Sequence, residues 1–134
     1  MILVDTNVVL DVLTDDSRWA EWSHAQLEAC SARDRLAIND VIYAELSVGY
    51  DRIEDVDKVL EVAGLSIAPI PRAALFLAGK VFKRYRALAG QKTGVLPDFF
   101  IGSHAAVEGA TLLTRDGARY RRFFPTLTLL TPTK

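Results

Sequence analysis

The sequence is poor in the side chains that form disulfides and transition-metal sites. It contains one cysteine, Cys30, and two histidines, His24 and His104. A single thiol excludes an internal disulfide framework and a thiolate metal site, and it favours a reducing compartment. His24 has no second ligand at metal-binding spacing, so we interpret it as a surface histidine.

Long apolar runs and a basic N-terminus are also missing. No uninterrupted apolar segment approaches membrane-spanning length, and the first apolar run lies beside Asp5 and Asp11 without a basic residue before it. These absences exclude a transmembrane helix and a signal peptide, so we expect a cytoplasmic protein with no membrane partner. At 134 residues, half of them hydrophobic, the chain is predicted to form one domain, residues 1–134.

Acidic residues are absent between Glu61 and Asp98. Residues 1–61 contain 14 acidic and 5 basic side chains, whereas residues 62–134 contain 3 and 11, giving net charges of −9 and +8. Such a separation is typical of a surface that faces a polyanion. Two solvated faces that neutralise each other, or a basic rim that meets an acidic partner, explain the charges equally well.

Short apolar runs alternate with helical periodicity along the chain. We predict strands at residues 2–4, 36–38, 66–70, 111–114 and 127–130. The intervening helices are predicted to resume at Val8 and to cover residues 18–32, 41–49, 52–63, 72–89 and 97–109, with a short basic helix after Asp116. Pro69 places the third strand at a sheet edge. This alternation predicts an α/β fold: a mainly parallel sheet of about five strands between helical layers.

The segment from Gly90 to Gly94 resembles a phosphate-binding loop only through Lys92 and Thr93. Gln91 stands where that motif requires glycine, and a helix rather than a strand precedes the segment. We therefore reject a nucleotide-binding loop.

Four acidic residues follow or face the carboxyl ends of the predicted strands. Asp5 ends the first strand, Asp116 follows the fourth, Asp98 begins a helix, and Glu45 lies in an otherwise apolar helix where we expect it to face inward. Because parallel strands end at one edge, these acids can meet there, and a cation such as magnesium or manganese would offset their repulsion. Taken alone, Asp5 is equally well explained as a helix cap.

Four motifs in this order resemble the PIN-domain family. They are Val4-Asp5-Thr6-Asn7, Glu45 within its apolar helix, the segment from Pro97 to Gly102, and Leu113-Thr114-Arg115-Asp116. The small size and the ending from Thr114 through Pro125 resemble VapC toxins of bacterial toxin–antitoxin pairs. The resemblance implies a three-layer α/β/α fold.

The resemblance further implies a metal-dependent ribonuclease. Asp5, Glu45, Asp98 and Asp116 would hold one or two magnesium or manganese ions, supported by Thr6, Asn7 and Thr114. A homodimer and a small VapB-type antitoxin are the implied partners. Candidate contacts to the RNA backbone are the basic residues Lys80, Lys83, Arg84, Arg86, Arg115 and Arg119.

Two other functions fit parts of the pattern. A phosphatase of the haloacid dehalogenase type also begins with a strand ending in Asp, but Asn7 replaces the second acid that such enzymes use as acid/base catalyst. A non-catalytic PIN-like module that binds RNA or protein would keep the fold without the chemistry.

Overall fold

The structure, a computed structural model, describes residues 1–88, 90 and 94–132. Within them the strands are β1 (Ile2–Val4), β2 (Leu36–Ile38), β3 (Ser66–Ile67), β4 (Thr111–Leu113) and β5 (Leu129–Leu130). The helices are α1 (Thr6–Leu13), α2 (Ala20–Ser31), α3 (Asp40–Ser47), α4 (Ile53–Ala63), α5 (Arg72–Ala87), α6 (Leu96–Glu108) and α7 (Gly117–Phe123). Residues 91–93, the centre of the rejected nucleotide-binding loop, lie outside the described residues.

All five strands form one parallel sheet in the order β3-β2-β1-β4-β5. This arrangement confirms the predicted α/β class and the three-layer α/β/α architecture. The first strand is central, with Ile2 opposite both Leu36 and Thr111. The carboxyl ends of β1 and β4 are therefore neighbours, and the Asp5 N–H donates to the Leu113 carbonyl at 2.9 Å.

The central strands form the middle of the hydrophobic core. Leu3, Val4, Ile38, Leu112 and Leu113 are completely buried. Each such aliphatic side chain contributes about 1.5–3 kcal/mol when it is removed from water. β1 is thus buried on both faces, which fixes the position of Asp5, the residue that follows it.

The two edge strands are shorter than the sequence pattern predicts. β3 covers residues 66–67 instead of 66–70, and β5 covers residues 129–130 instead of 127–130. Pro69 has no N–H group to continue the ladder, and β3 is an edge strand as predicted. Helix α2 also begins two residues later than predicted, because Asp16 caps the preceding turn by accepting the N–H groups of Arg18 and Trp19, both at 2.9 Å.

Candidate active site

Asp5 is the buried centre of the acidic edge. Its Oδ1 accepts the Thr6 N–H at 2.8 Å, while Oδ2 accepts the hydroxyls of Thr114 at 2.7 Å and Tyr120 at 3.1 Å. Burial, followed by the nearby charge of Asp98, raises the pKa of Asp5 to about 6 despite these hydrogen bonds. Asp5 is also the N-cap residue of α1, which confirms the capping interpretation, while its role as a metal ligand stays a prediction.

Glu45 reaches the site from α3, but it does so from the surface. The helix begins at its N-cap Asn39, whose Oδ1 accepts the Ile42 N–H at 3.0 Å. Ile42 and Leu46 point into the core, whereas Glu45 is exposed. The expectation that Glu45 faces inward was therefore wrong. Its Oε1 nevertheless accepts the Thr6 hydroxyl at 2.6 Å, which ties α3 to the start of α1.

Asp98 lies in the first turn of α6 and is partly buried. Burial raises the pKa of Asp98, and the nearby charge of Asp116 raises it further, whereas the Arg119 guanidinium lowers it. Arg119 forms an ion pair with Asp98 Oδ2, and the Tyr120 hydroxyl lies 3.4 Å from Asp98 Oδ1. Arg119, predicted to contact RNA, is thus bound to a site carboxylate in this structure.

The segment after β4 is tied to α1 through Thr114. This fully buried hydroxyl donates to Asp5 and accepts the Asp116 N–H at 3.0 Å and the Asn7 Nδ2 at 3.4 Å. Asn7 Oδ1 in turn accepts the Arg115 N–H at 3.2 Å. Asp5, Asn7, Thr114 and Asp116 therefore form one hydrogen-bonded unit, although more than a hundred residues separate its two halves.

Tyr120 is a site residue that the sequence reasoning missed. It is 1% exposed, and its hydroxyl lies between Asp5 and Asp98. Burial, with the charges of Asp5 and Asp98, raises the phenol pKa well above its usual value, so the group is a neutral hydrogen-bond donor. Tyr120 and Phe123 are three apart on α7, a spacing that indicates a buried face, and a buried phenol requires a polar partner.

All four predicted acids line one cavity of about 240 Å³. Its lining consists of Asp5, Thr6, Asn7, Leu10, Glu45, Asp98 and Asp116. The structure thus brings together the predicted ligands from β1, α3, α6 and the β4–α7 segment.

The donors in this cavity suit a hard divalent cation. They are carboxylate, hydroxyl and amide oxygens, which magnesium and manganese prefer, and Asp5 and Asp98 repel each other. Within residues 1–88, 90 and 94–132, no three His, Cys, Asp or Glu side chains are close enough to hold a metal ion as they stand. In this structure Asp5 accepts hydrogen bonds from Thr114 and Tyr120, Glu45 accepts one from Thr6, and Asp98 pairs with Arg119.

The predicted RNA contacts of α5 lie on its solvent side. Lys80, Lys83, Arg84 and Arg86 are all exposed, and α5 packs against α6, the helix that carries Asp98. Arg115 differs from them because it is partly buried and its guanidinium forms an ion pair with the buried Asp11. No helix of the described residues is long and apolar enough to cross a membrane.

Comparisons with solved structures agree with this architecture. The chain resembles VapBC2 from Rickettsia felis, solved with a DNA fragment from its promoter, at 23% identity, a TM-score of 0.75 and 98% coverage of each chain. It also resembles VapBC-1 from nontypeable Haemophilus influenzae at 19% identity, a TM-score of 0.73 and 100% coverage of each chain. A third similar structure is FitAcB from Neisseria gonorrhoeae, at 18% identity, a TM-score of 0.69 and 98% coverage of each chain. At these identities, the similarity shows a shared fold.

A comparison with curated protein sequences gives no match. The family model for the PIN domain, however, matches residues 2–123, which include the four acids, Tyr120 and every strand except β5. The resemblance read from the sequence motifs is thereby confirmed, and this chain belongs to the PIN-domain family.

Proposed function

We propose that this chain is a VapC-type toxin, a metal-dependent endoribonuclease that a VapB-type antitoxin inhibits. The observation that carries the proposal is the convergence of Asp5, Glu45, Asp98 and Asp116 on one cavity. Membership of the PIN-domain family supports nuclease chemistry, the similar structures include VapBC proteins, and another similar structure, from Klebsiella pneumoniae, is described as a toxin–antitoxin complex.

The four carboxylates would hold one or two magnesium or manganese ions. Such an ion supplies Lewis-acid activation of water and of the phosphodiester. The protein's own part is to fix the ligands: Thr114 and Tyr120 orient Asp5, and Thr6 orients Glu45. With only two histidines in the chain, a paired-histidine mechanism through the ribose 2′-hydroxyl is disfavoured.

The RNA backbone would bind along the α5 basic face, defined as Lys80, Lys83, Arg84 and Arg86. All four side chains are exposed, and the 72–88 segment contains no acidic residue. Binding through phosphate contacts releases counterions and therefore weakens as salt increases.

A triple charge reversal tests this surface. The variant replaces three residues of the α5 basic face with glutamate, namely Lys83, Arg84 and Arg86. Its matched control makes the same charge change on the acidic half of the chain, at the exposed residues Arg33, Arg52 and Lys58. We expect only the first variant to lose RNA affinity in EDTA, with the slope of log affinity against log salt reduced by about 2. Equal loss in both variants would show that overall charge, not this face, drives binding.

A second cavity, of about 650 Å³, is the surface we propose for the antitoxin. It is an apolar groove between α1, α2 and α4, with Val12, Leu27, Val59 and Val62 among its lining residues. A groove of this kind accepts the apolar face of an amphipathic helix. Because residues 1–61 carry a net charge of −9, we expect the antitoxin helix to be basic.

Two exposed valines give a matched test of the groove. Val62 lines it and is 80% exposed, whereas Val48 is 88% exposed and is not among its lining residues. We expect Val62→Glu to prevent co-purification with the co-expressed antitoxin, whereas Val48→Glu retains the complex. If both variants retain it, the antitoxin binds elsewhere.

The homodimer stays a prediction. Light scattering of the purified chain tests it.

The alternative we retain is a non-catalytic PIN-like module. Cleavage of RNA by the purified chain in Mg²⁺ or Mn²⁺, lost in EDTA and in Asp5→Ala, supports the nuclease. RNA affinity with neither metal binding nor cleavage supports the module. The phosphatase interpretation conflicts with membership of the PIN-domain family and with Asn7 at the position of the second acid.

A further inference from the structure

Arg115 lies between two residues of the candidate site, and its partly buried side chain pairs with Asp11. Its Nε donates to Asp11 Oδ2 at 2.7 Å and its Nη2 donates to Asp11 Oδ1 at 3.0 Å. The Arg115 side chain is 28% exposed and that of Asp11 is 3% exposed. The guanidinium also lies over the Trp19 ring, with 5.0 Å between Cζ and the ring centroid. A bidentate, stacked guanidinium of this kind has a fixed position.

Asp11 is held from the other side as well. Its Oδ2 accepts the hydroxyl of the buried Ser23 on α2 at 2.6 Å. The carboxylate therefore connects α1, α2 and the β4–α7 segment, and it is not among the residues lining the acidic cavity.

The Asp11–Arg115 pair and Asn7 together attach Arg115 to one face of α1. Asn7 and Asp11 are four residues apart on this helix and therefore lie on one face. Asn7 binds the backbone N–H of Arg115, while Asp11 binds its guanidinium. Arg115 is thus attached to α1 at two points, one helical turn apart. Its sequence neighbours are Thr114, which donates to Asp5, and Asp116, which lines the cavity.

We propose that the Asp11–Arg115 pair is a positioning device for the metal site, holding Thr114 and Asp116 in register with Asp5. This inference rests on the proposed function, because it assigns the pair a role toward the same ion. It also gives Arg115 a role other than the RNA contact that its charge suggests. Partners that orient metal ligands change metal affinity or activity by about 10- to 100-fold when they are lost.

Arg115→Lys is the main test because it keeps the positive charge beside buried Asp11 but cannot form the bidentate contact. The control for general packing is Leu65→Ala, at a buried residue just before β3 and therefore at the end of the sheet opposite the site. Urea unfolding checks that both variants are folded. Calorimetry then measures Mn²⁺ affinity without RNA, and fluorescence anisotropy measures RNA affinity in EDTA.

We expect Arg115→Lys to weaken Mn²⁺ binding by about 10- to 100-fold, with RNA affinity within about twofold of the native value and with the Mn²⁺ affinity of Leu65→Ala unchanged. We also expect Asp11→Asn to weaken Mn²⁺ binding as much as Arg115→Lys does. The double variant should bind Mn²⁺ no more weakly than either single variant, because both substitutions break the same contact. Weakened RNA binding with native Mn²⁺ affinity would overturn the inference in favour of an RNA contact. An equal loss of Mn²⁺ affinity in Leu65→Ala would overturn it in favour of general packing.

The native chain separates this inference from the proposed function. If it binds Mn²⁺ and cleaves RNA while Arg115→Lys does both equally well, only the positioning role fails. If the native chain does neither, the proposed function fails and the positioning role fails with it.

Discussion

Asp5 should make the metal-free protein less stable as the pH rises. Its side chain is 5% exposed, and its pKa is raised from 3.8 to about 6, chiefly by burial. A carboxyl group with a higher pKa in the folded than in the unfolded chain binds protons more tightly when folded. The free energy of unfolding therefore falls between about pH 4 and pH 6 and stays lower above that range. The shift from 3.8 to about 6 corresponds to about 3 kcal/mol at pH 7.

The variant Asp5→Asn isolates this effect because it cannot ionise. We expect its stability relative to the native chain to increase by about 2.5 kcal/mol between pH 4 and pH 7.5. Altered hydrogen bonding to Thr114 and Tyr120 shifts the difference at both pH values, so the change with pH is the informative quantity. Urea unfolding in EDTA at constant ionic strength measures it.

Asp34→Asn provides a control of opposite sign. The N-terminal ammonium of Met1 and the Arg35 N–H lower the pKa of Asp34 from its usual 3.8. The native chain should therefore become more stable relative to this variant as the pH rises through that lowered pKa to about 4, so the unfolding series for this control extends below pH 4. A stability difference for Asp5→Asn that stays flat with pH, or moves in favour of the native chain, would refute the explanation by burial.

Two further substitutions, each with a control variant, test the packing around the site by urea unfolding in EDTA. Tyr120→Phe should lower the free energy of unfolding by about 1.5–3 kcal/mol at pH 7, because it removes a hydrogen-bond donor to the buried, ionised Asp5. The control Tyr43→Phe loses a hydrogen bond to an exposed partner and should lower it by less than about 0.5 kcal/mol. Equal costs would mean that the Tyr120 hydroxyl does not support the site. Gly102→Ala should cost about 1–3 kcal/mol because its Cβ would overlap the buried Phe124 ring. Gly79→Ala, with nothing within 4 Å of the new Cβ, should instead stabilise α5 by up to about 1 kcal/mol. A tolerated Gly102→Ala would contradict the close packing of α6.

The location of the acids could be predicted because it follows from local patterns. Ile2–Val4 is apolar on both faces and stops at Asp5, and the same transition occurs before Asp116. Once the sheet is parallel, its carboxyl ends share one edge. The orientation of Glu45 could not be predicted in the same way, because the buried stripe of α3 is narrow and contains Ile42 and Leu46 but not residue 45.

The contacts that orient the acids lie beyond local pattern. Tyr120 reaches Asp5 across 115 positions, and Arg115 reaches Asp11 across 104. We predicted from its positive charge that Arg115 contacts RNA. The sequence alone does not distinguish an arginine that binds a buried carboxylate from one that binds phosphate. Only the folding of α1 against the β4–α7 segment distinguishes them.

Metal-dependent cleavage by the native chain and by Asp5→Asn, prepared in the same way, tests the function of the acidic cavity most directly. The substrate is total RNA, with Mg²⁺ or Mn²⁺ in one series and EDTA in the other, and Glu61→Gln, an exposed acid on α4, is the matched control. We expect the native chain and Glu61→Gln to cleave only with metal, and the folded Asp5→Asn to cleave in neither series. Cleavage that persists in EDTA, or equal cleavage by Asp5→Asn, would contradict a metal-dependent nuclease centred on Asp5.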